Sequence, residues 1–290
     1  MCDLTRRGPI HERTVPEVLG APATRTLVVK LGYRGADFSG FAAQEKERTV
    51  AGELGSALET LLKRDVPFDC AGRTDAGVSA LAQYISVPLA AHEFTDRTAA
   101  KLAKSLVALT PDDIAIKELW WASADFSARF DALQRSYRYL IADGARRPVM
   151  LWDHAWWHRA PLDADAMDAA AQLLVGEHNF KSFCKASSCA LMEAAGKSLN
   201  RCVDSVSVER QELAGEKYLA VDVAGNAFLH NMVRIMVGSL VEIGRGHRDA
   251  AWLAHALKAE DRAAAGPTAP AEGLTFMSCA YAPGLLTRAW

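Results

Sequence analysis

The stretch Cys70–Ala80, CAGRTDAGVSA, places an arginine and an aspartate two residues apart among small and apolar side chains. The segments on either side of its centre, 66–71 and 83–87, are predicted to be extended. Asp-Ala-Gly is a sequence typical of tight turns. The stretch therefore predicts a loop between two β segments, and this loop carries both charges.

The aspartate of the loop, Asp75, has two interpretations. In most tight turns an aspartate satisfies its own backbone. Here the neighbours are small and apolar, and an ionised carboxylate in such surroundings needs a partner or a chemical role. If a cation keeps it ionised, it can act as a nucleophile or a base. A phosphate-binding loop of the G-x-x-x-x-G-K-[ST] type is not predicted, because no Lys-Ser/Thr pair follows Gly77.

Hydrophobic periodicity predicts helices and strands along the rest of the chain. Four apolar residues recur at helical spacing after Thr49, a typical helix N-cap: Val50, Leu54, Leu58 and Leu61. Further helices are predicted over 98–108, 163–174, after Phe228 and over 249–258. Strands are predicted over 24–33, 114–120, 136–141, 202–208, 219–223 and 275–281. This mixture predicts an α+β fold with two similar halves, each a mainly antiparallel sheet with helices on one face, joined around a central cleft.

The same pattern predicts the domain organisation. Residues 1–23 are charged and proline-containing without an apolar core, so they are predicted to form a flexible tail and not a secretory leader. Residues 24–148 form the N-terminal half with the Asp75 loop. Residues 149–290 form the C-terminal half with the helix of Arg234. The boundary is placed near Arg147 to Leu151, where RRPVML interrupts the pattern.

Composition limits the classes of partner. With 290 residues and 50% hydrophobic content, the chain can bury a sizeable core. The formal net charge of -2 gives no general attraction to nucleic acid, so RNA would have to meet a local basic surface. Residues 129–159 offer one, because they contain six arginines against three aspartates. The long apolar run Leu229–Gly244 is interrupted by Arg234 and Glu242, so it is not predicted to span a membrane.

Cysteine and histidine usage predicts neither disulfides nor a metal site. The six cysteines contain no C-x-x-C pair, and a chain of this length does not need disulfides for its core, so a reducing cytoplasm is expected. His178, Cys184 and Cys189 are close in sequence but lack the short paired spacings of zinc ligands.

Two further residues are ambiguous from the sequence alone. Arg234 interrupts the apolar stripe of its helix, and taken alone this favours an ordinary surface arginine that shares the solvent-facing side of the helix with His230. Tyr137 alternates with Tyr139 along a predicted strand, which is the usual pattern of core aromatics.

The loop motif belongs to a larger ordered set. GRTDAGVSA stands with YRGADFSGF at 33–41, ARFDALQRSYRY at 128–139, GEHNFKSF at 176–183, NAFLHNMVRIMVGSLVEIG at 226–244 and AEGL at 271–274. Together these motifs resemble the tRNA pseudouridine synthase I family, TruA type, and the resemblance runs in order over about residues 24 to 282.

The resemblance implies an isomerase that converts uridine to pseudouridine in tRNA, at positions 38, 39 and 40 of the anticodon stem-loop, without cofactor or metal. It implies that Asp75 is the catalytic aspartate, that Arg234 pairs with it, and that Tyr137 stacks on the target base. Arg73 is implied to assist base flipping. Asp75 either attacks the sugar or acts through a glycal, and the sequence leaves both routes open.

The resemblance also implies a homodimer in the cytoplasm with tRNA as its partner. The candidates for contacts with tRNA are Arg73, Thr74, Arg129, Arg135, Arg138, Lys181 and His230.

The chain departs from the family pattern at Ala42, where a glutamine is usual, and at Val107 and Thr110, where asparagine and leucine are usual. These departures keep two alternatives open: a synthase for another tRNA or RNA position, and a tRNA-binding protein without turnover. An aspartyl phosphotransferase using Asp75 is a third, although no second acidic motif supports the magnesium it would need.

Overall fold

The computed structural model describes residues 14–95 and 98–290. Its strands are β1 (Glu17–Val18), β2 (Ala21–Pro22), β3 (Arg25–Tyr33), β4 (Asp69–Cys70), β5 (Ser79–Leu89), β6 (Ile114–Ala122), β7 (Ala132–Asp143), β8 (Trp156–His158), β9 (Gly176–Asn179), β10 (Asn200–Leu213), β11 (Glu216–Gly225), β12 (Leu274–Tyr281) and β13 (Thr287–Arg288). Its α-helices are α1 (Val50–Leu62), α2 (His92–Thr95), α3 (Ala99–Leu109), α4 (Ala164–Ala171), α5 (Ala186–Ala194), α6 (Met232–Gly244) and α7 (Ala250–Ala259). Short 3₁₀ helices cover Gln172–Leu174, Lys181–Phe183 and Arg262–Ala264. None of the helices among these residues is long and apolar enough to cross a membrane.

Helix starts follow from capping side chains in the sequence. The Thr49 hydroxyl accepts a hydrogen bond from the Gly52 N–H at 3.1 Å, one of the donors that the first turn of α1 cannot satisfy internally. Side-chain oxygens of Thr98, Asp163 and Asp249 cap α3, α4 and α7 in the same way. The predicted helix starts at these four positions are therefore confirmed.

The structure divides the described chain into two compact units. The first unit contains the described residues up to Leu133 together with Phe276–Trp290, and the second contains Gln134–Thr275. The predicted halves 24–148 and 149–290 have other limits and stay a prediction. Of the predicted tail, residues 1–13 lie outside the described residues, and residues 14–23 include the antiparallel pair of β1 and β2.

In the first unit the strand order is β13-β6-β3-β5-β12, and β4 pairs with Ile85 and Ser86 of β5. The pairs β13–β6, β6–β3, β3–β5 and β4–β5 are all antiparallel. Helices α1 and α3 pack on each other, and α3 packs on β6. Leucines of α1, α3 and β3 are almost fully buried in this core: Leu27, Leu31, Leu54, Leu58, Leu102 and Leu106.

In the second unit the strand order is β7-β11-β10-β9, with antiparallel neighbours throughout, and β8 runs parallel to the end of β7. Helix α4 packs on β10 and on α6. Helix α6 is buried along most of its length, which agrees with its apolar sequence. The predicted α+β class with mainly antiparallel sheets is confirmed, while the central cleft stays a prediction.

The hydroxyl that caps α1 gives a direct test of how this helix is held. Because Thr49 is almost fully buried, Thr49→Ala leaves the Gly52 N–H without its acceptor and should lower the free energy of unfolding by about 1 kcal/mol. Urea titration measures the change. Ser56→Ala, on the exposed side of α1, is the matched control and should leave stability within about 0.5 kcal/mol of wild type. Equal stability of the Thr49 and Ser56 variants would show that this cap does not contribute.

Candidate active site

The loop with Asp75 lies between β4 and β5 of the first unit, as the sequence predicts. Its turn is closed by the backbone, since the Val78 N–H donates to the Asp75 carbonyl at 3.1 Å. Gly77 adopts φ +80°, the left-handed conformation that glycine takes most readily in this position of a turn. The turn is thus closed by a backbone hydrogen bond, and the side chain of Asp75 is half-buried.

Thr74, immediately before Asp75, is the best-anchored residue of the loop. Its hydroxyl and the Tyr33 hydroxyl are hydrogen-bonded at 2.7 Å, and its carbonyl accepts from the Phe41 N–H at 3.0 Å. Tyr33 is only 5% exposed and packs edge-on against Phe38 at 6.3 Å between ring centroids. Burial raises the pKa of Tyr33 well above its usual range, so the phenol remains neutral and available for this bond at physiological pH.

The segment after β3 wraps around the same loop. The Gly77 N–H donates to the Phe38 carbonyl at 3.3 Å, and the Gly35 N–H donates to the Ser79 hydroxyl at 3.0 Å. A Cβ at Gly35 would lie 2.2 Å from the Val78 carbonyl oxygen, so only glycine permits this approach. The motif at 33–41 is thus the support of the Asp75 loop, a role that the sequence analysis did not assign to Tyr33.

Arg73 is exposed, and no residue in the described part of the chain forms an ion pair or hydrogen bond with its side chain. It shares the loop with Thr74 and Asp75, so three of the predicted site residues lie together. Arg129, in the same unit, is also exposed, with its guanidinium carbon 5.1 Å from the centre of the Phe130 ring.

Tyr137 lies on β7 of the second unit, opposite Val223 on β11. It is 8% exposed and packs at right angles to Phe228, with ring centroids 5.2 Å apart. Tyr139, two residues further, is fully buried and its hydroxyl donates to the Pro270 carbonyl at 2.8 Å. Tyr139 is therefore a core residue, whereas Tyr137 lies at the margin of the core.

Arg234 lies in the first turn of α6, and its side chain is held in place. Its Nε donates to the Ala269 carbonyl at 2.8 Å, and one terminal nitrogen donates to the Asn231 side-chain oxygen at 3.2 Å. Asn231, the residue before the helix, adopts φ +62°. A half-buried guanidinium oriented by two hydrogen bonds differs from a solvated surface arginine, the alternative that the sequence left open.

Four of the candidates for contacts with tRNA have partners inside the second unit. Arg138 forms a bidentate ion pair with Asp222 at 2.7 and 2.8 Å, which raises the pKa of Arg138. Lys181 pairs with Glu193 at 2.6 Å. Arg135 is buried and donates to the Asn226 carbonyl at 2.6 Å. His230 is exposed, and its Nδ1 is hydrogen-bonded to the Ser188 hydroxyl at 2.7 Å. Their contacts with tRNA stay a prediction.

Two exposed arginines of the second unit lie among tryptophan rings, a feature that the sequence analysis did not identify. The guanidinium carbon of Arg147 lies 4.5 Å from the ring centre of Trp152 and 4.9 Å from that of Trp157. Arg159 lies 4.9 Å from the centre of Trp157. Within residues 14–95 and 98–290 neither arginine forms an ion pair. We call Arg147, Trp152, Trp157 and Arg159 the arginine–tryptophan ladder.

No group of three or more histidine, cysteine, aspartate or glutamate side chains among the described residues is arranged to hold a metal ion. The loop itself offers three functional groups: the half-buried carboxylate of Asp75, the exposed guanidinium of Arg73 and the hydrogen-bonded hydroxyl of Thr74.

Comparison with known proteins identifies the class of enzyme to which the chain is similar. Residues 170–282, which include Lys181, His230 and Arg234, match the family model described as tRNA pseudouridine synthase. A tRNA pseudouridine synthase A from Brevibacillus brevis is 42% identical over 251 residues, which cover 87% of this chain and 97% of that protein. Relatives of the same name from Chloroflexus aurantiacus and Shewanella woodyi are 41% and 40% identical, covering 90% and 88% of this chain and 91% and 92% of their own.

The chain belongs to the tRNA pseudouridine synthase A family, the TruA-type isomerases. The resemblance expected from its motifs is thereby confirmed.

The buried Tyr33 hydroxyl makes a testable contribution to alkaline stability. An unfolded chain loses the phenol proton near pH 10, whereas the folded protein retains it because burial raises the pKa of Tyr33. Above about pH 10, unfolding therefore releases the Tyr33 proton, and the unfolded state becomes more favourable as pH rises. The stability advantage of wild type over Tyr33→Phe should therefore be constant between about pH 7 and 9 and shrink above that by up to about 1.4 kcal/mol per pH unit. Urea titrations at each pH measure it, and a constant difference up to about pH 11 would contradict the assignment.

Proposed function

We propose that this protein isomerises uridine to pseudouridine at positions 38, 39 and 40 of the tRNA anticodon stem-loop, with Asp75 as the catalytic carboxylate. The observation that supports this role most strongly is the fixed backbone of the Asp75 loop, in which the Val78 N–H donates to the Asp75 carbonyl and the Thr74 hydroxyl is hydrogen-bonded to buried Tyr33. Membership of the family indicates the reaction, and the anchored loop carries the carboxylate that the reaction needs.

The reaction exchanges one bond to the ribose for another. The bond between N1 of the base and C1′ of the sugar breaks, the base rotates, and C5 bonds to C1′. C5 then loses its proton and N1 gains one, so the product has the same composition as the substrate. Asp75 stabilises or attacks the sugar carbon, or assists removal of a ribose proton through a glycal. Either route requires the carboxylate in its ionised form.

The other predicted residues have complementary roles in this proposal. Arg234 supplies the positive charge that favours ionised Asp75, and the two hydrogen bonds to its guanidinium keep that charge oriented. Tyr137 offers a ring, supported by Phe228, on which the flipped base can stack. Arg73 is exposed and unpaired among the described residues, so its planar cation is available to occupy the space that the base leaves.

We further propose that the protein acts in the cytoplasm as a homodimer, as the family resemblance implies. Of the three residues that depart from the family pattern, Val107 is 51% exposed and the Thr110 hydroxyl donates to the Leu106 carbonyl of its own helix. Ala42 is half-buried and follows Phe41, whose N–H still donates to the Thr74 carbonyl of the Asp75 loop at 3.0 Å. The intact support of the loop favours retained chemistry over a binding protein without turnover.

Replacement of the proposed catalytic carboxylate tests the proposal directly. Asp75→Asn keeps the size of the side chain and the backbone turn but removes the negative charge, so tritium release from C5-labelled uridine in tRNA should fall to background while tRNA binding is retained. Asp37→Asn, an exposed aspartate in the supporting segment, is the matched control and should retain wild-type release. Activity in Asp75→Asn equal to that of Asp37→Asn would exclude the proposed role.

The arginine–tryptophan ladder predicts part of the salt dependence of tRNA binding. Exposed arginines stacked on aromatic rings suit both phosphate contacts and base stacking. The double variant Arg147→Gln and Arg159→Gln should reduce the slope of log Kd against log salt concentration by roughly one for each phosphate that the protein no longer neutralises.

Arg210→Gln is the control for this measurement. Arg210 is similarly exposed but forms a bidentate ion pair with Asp143 at 2.7 and 2.9 Å, so its removal should leave the salt slope unchanged. An identical slope for wild type and the double variant would place the RNA contacts elsewhere.

A further inference from the structure

Gln83, on β5, has a fully buried side chain that binds backbone atoms of the Asp75 loop. Its Nε2 donates to the Gly72 carbonyl at 2.6 Å, and its Oε1 accepts from the Gly72 N–H at 3.3 Å. Oε1 also accepts from the Tyr84 N–H at 3.2 Å. The Gln83 amide thus forms hydrogen bonds with both the N–H and the carbonyl of Gly72, as the backbone of a neighbouring strand would.

The position of Gly72 explains why a side chain is needed there. Strand β4 ends at Cys70, and the Ala71 N–H makes a last backbone bond to the Tyr84 carbonyl at 2.9 Å. Beyond this point the chain leaves the sheet, so the next residue has no strand partner. A buried peptide group without a partner costs free energy, and so does a buried amide side chain. Gln83 and Gly72 satisfy each other only while the loop starts in this position.

The hydrogen bonds of Gln83 and Tyr33 hold the loop at two points on either side of Arg73. Gln83 fixes Gly72, and the Tyr33 hydroxyl fixes Thr74 two residues later. Arg73 lies between the two fixed points and Asp75 follows the second. A carboxylate carried by this loop therefore depends on both contacts for its position, although neither partner residue belongs to the loop.

We propose that Gln83 is a positioning residue for uridine isomerisation, holding the Gly72 peptide so that Asp75 is presented to the ribose in its productive orientation. The proposal rests on the catalytic role proposed for Asp75. Gln83 itself touches no substrate. Its effect is on the turnover step more than on the capture of tRNA, because most of the proposed contacts with tRNA, including the arginine–tryptophan ladder, lie outside the loop that Gln83 holds.

The first test removes the amide at constant side-chain length. In Gln83→Met both polar atoms of Gly72 are left without their partner, and kcat should fall about tenfold or more because small displacements of a reacting group are costly. KM for tRNA should change less than about twofold, since binding does not use the Gln83 amide. A wild-type kcat in folded Gln83→Met, shown by circular dichroism and tRNA binding, would overturn the proposal.

The matched control is Ser86→Ala on the same strand. The Ser86 hydroxyl is buried and accepts from the Ala128 N–H at 3.0 Å, so its removal also breaks a buried hydrogen bond between a side chain and the backbone. It does not touch the Asp75 loop. We expect a loss of thermal stability in both variants and a loss of kcat only in Gln83→Met. Equal losses of kcat in the two variants would make Gln83 a structural residue only.

A second variant tests the geometry without relying on Gln83→Met being folded. In Gln83→Glu the neutral carboxyl group has one acceptor and one O–H donor, and thus reproduces the pattern toward Gly72. The ionised form has no donor for the Gly72 carbonyl. Burial raises the pKa of this introduced carboxyl above the usual value of about 4.3. Tyr33 remains neutral over the range tested, because burial raises its pKa.

The kcat of Gln83→Glu relative to wild type should therefore rise severalfold as pH falls from about 8 to 5.5, because the introduced carboxyl becomes neutral. Dividing by the wild-type kcat at each pH removes the titration of groups that both proteins share. A ratio independent of pH would overturn the positioning role. Asp75→Asn is measured in parallel: full activity there contradicts the proposed function, whereas an inactive Asp75→Asn with an unaffected Gln83→Met contradicts only the present inference.

Discussion

The hydrogen bond between the buried hydroxyls of Tyr33 and Thr74 is the contact on which the candidate site depends most. It fixes the residue before Asp75 to the end of β3, and the Gln83 amide fixes the residue before Arg73 to β5. Loops gain precision when their backbone is bound to rigid elements. Two strands of one sheet thus hold the backbone of the four-residue sequence Gly72–Asp75 that carries both charged side chains.

Attraction between this protein and RNA depends on a few exposed arginines and not on the net charge of the chain. A net charge of -2 gives the protein no overall attraction to RNA, and Arg138 of the basic region already forms an ion pair with Asp222 in the second unit. Among the described residues, Arg73 and the two arginines of the arginine–tryptophan ladder are exposed and form no ion pair, so their charge is available for phosphate. Attraction to tRNA is consequently expected to depend on a few residues and to be sensitive to salt.

The sequence predicted those features that depend on neighbouring residues. Caps such as Thr49 and the alternation of β7 were visible, and the loop between β4 and β5 followed from turn composition. Helix α5 was missed because only Cys189 is buried along it, so it has no apolar period. The pairing of Arg138 with Asp222, 84 residues away, and the contact of Gln83 with Gly72 depend on strand register, which a single sequence does not specify.

The most direct measurement maps pseudouridine in anticodon-arm transcripts that carry uridine at one of positions 38, 39 or 40, after incubation with the purified protein and a chelator. Carbodiimide modification followed by primer extension identifies each converted position. The account predicts chelator-resistant conversion at these positions by wild type and none by Asp75→Asn. Conversion by Asp75→Asn, or the absence of pseudouridine at every position with wild type, would contradict it.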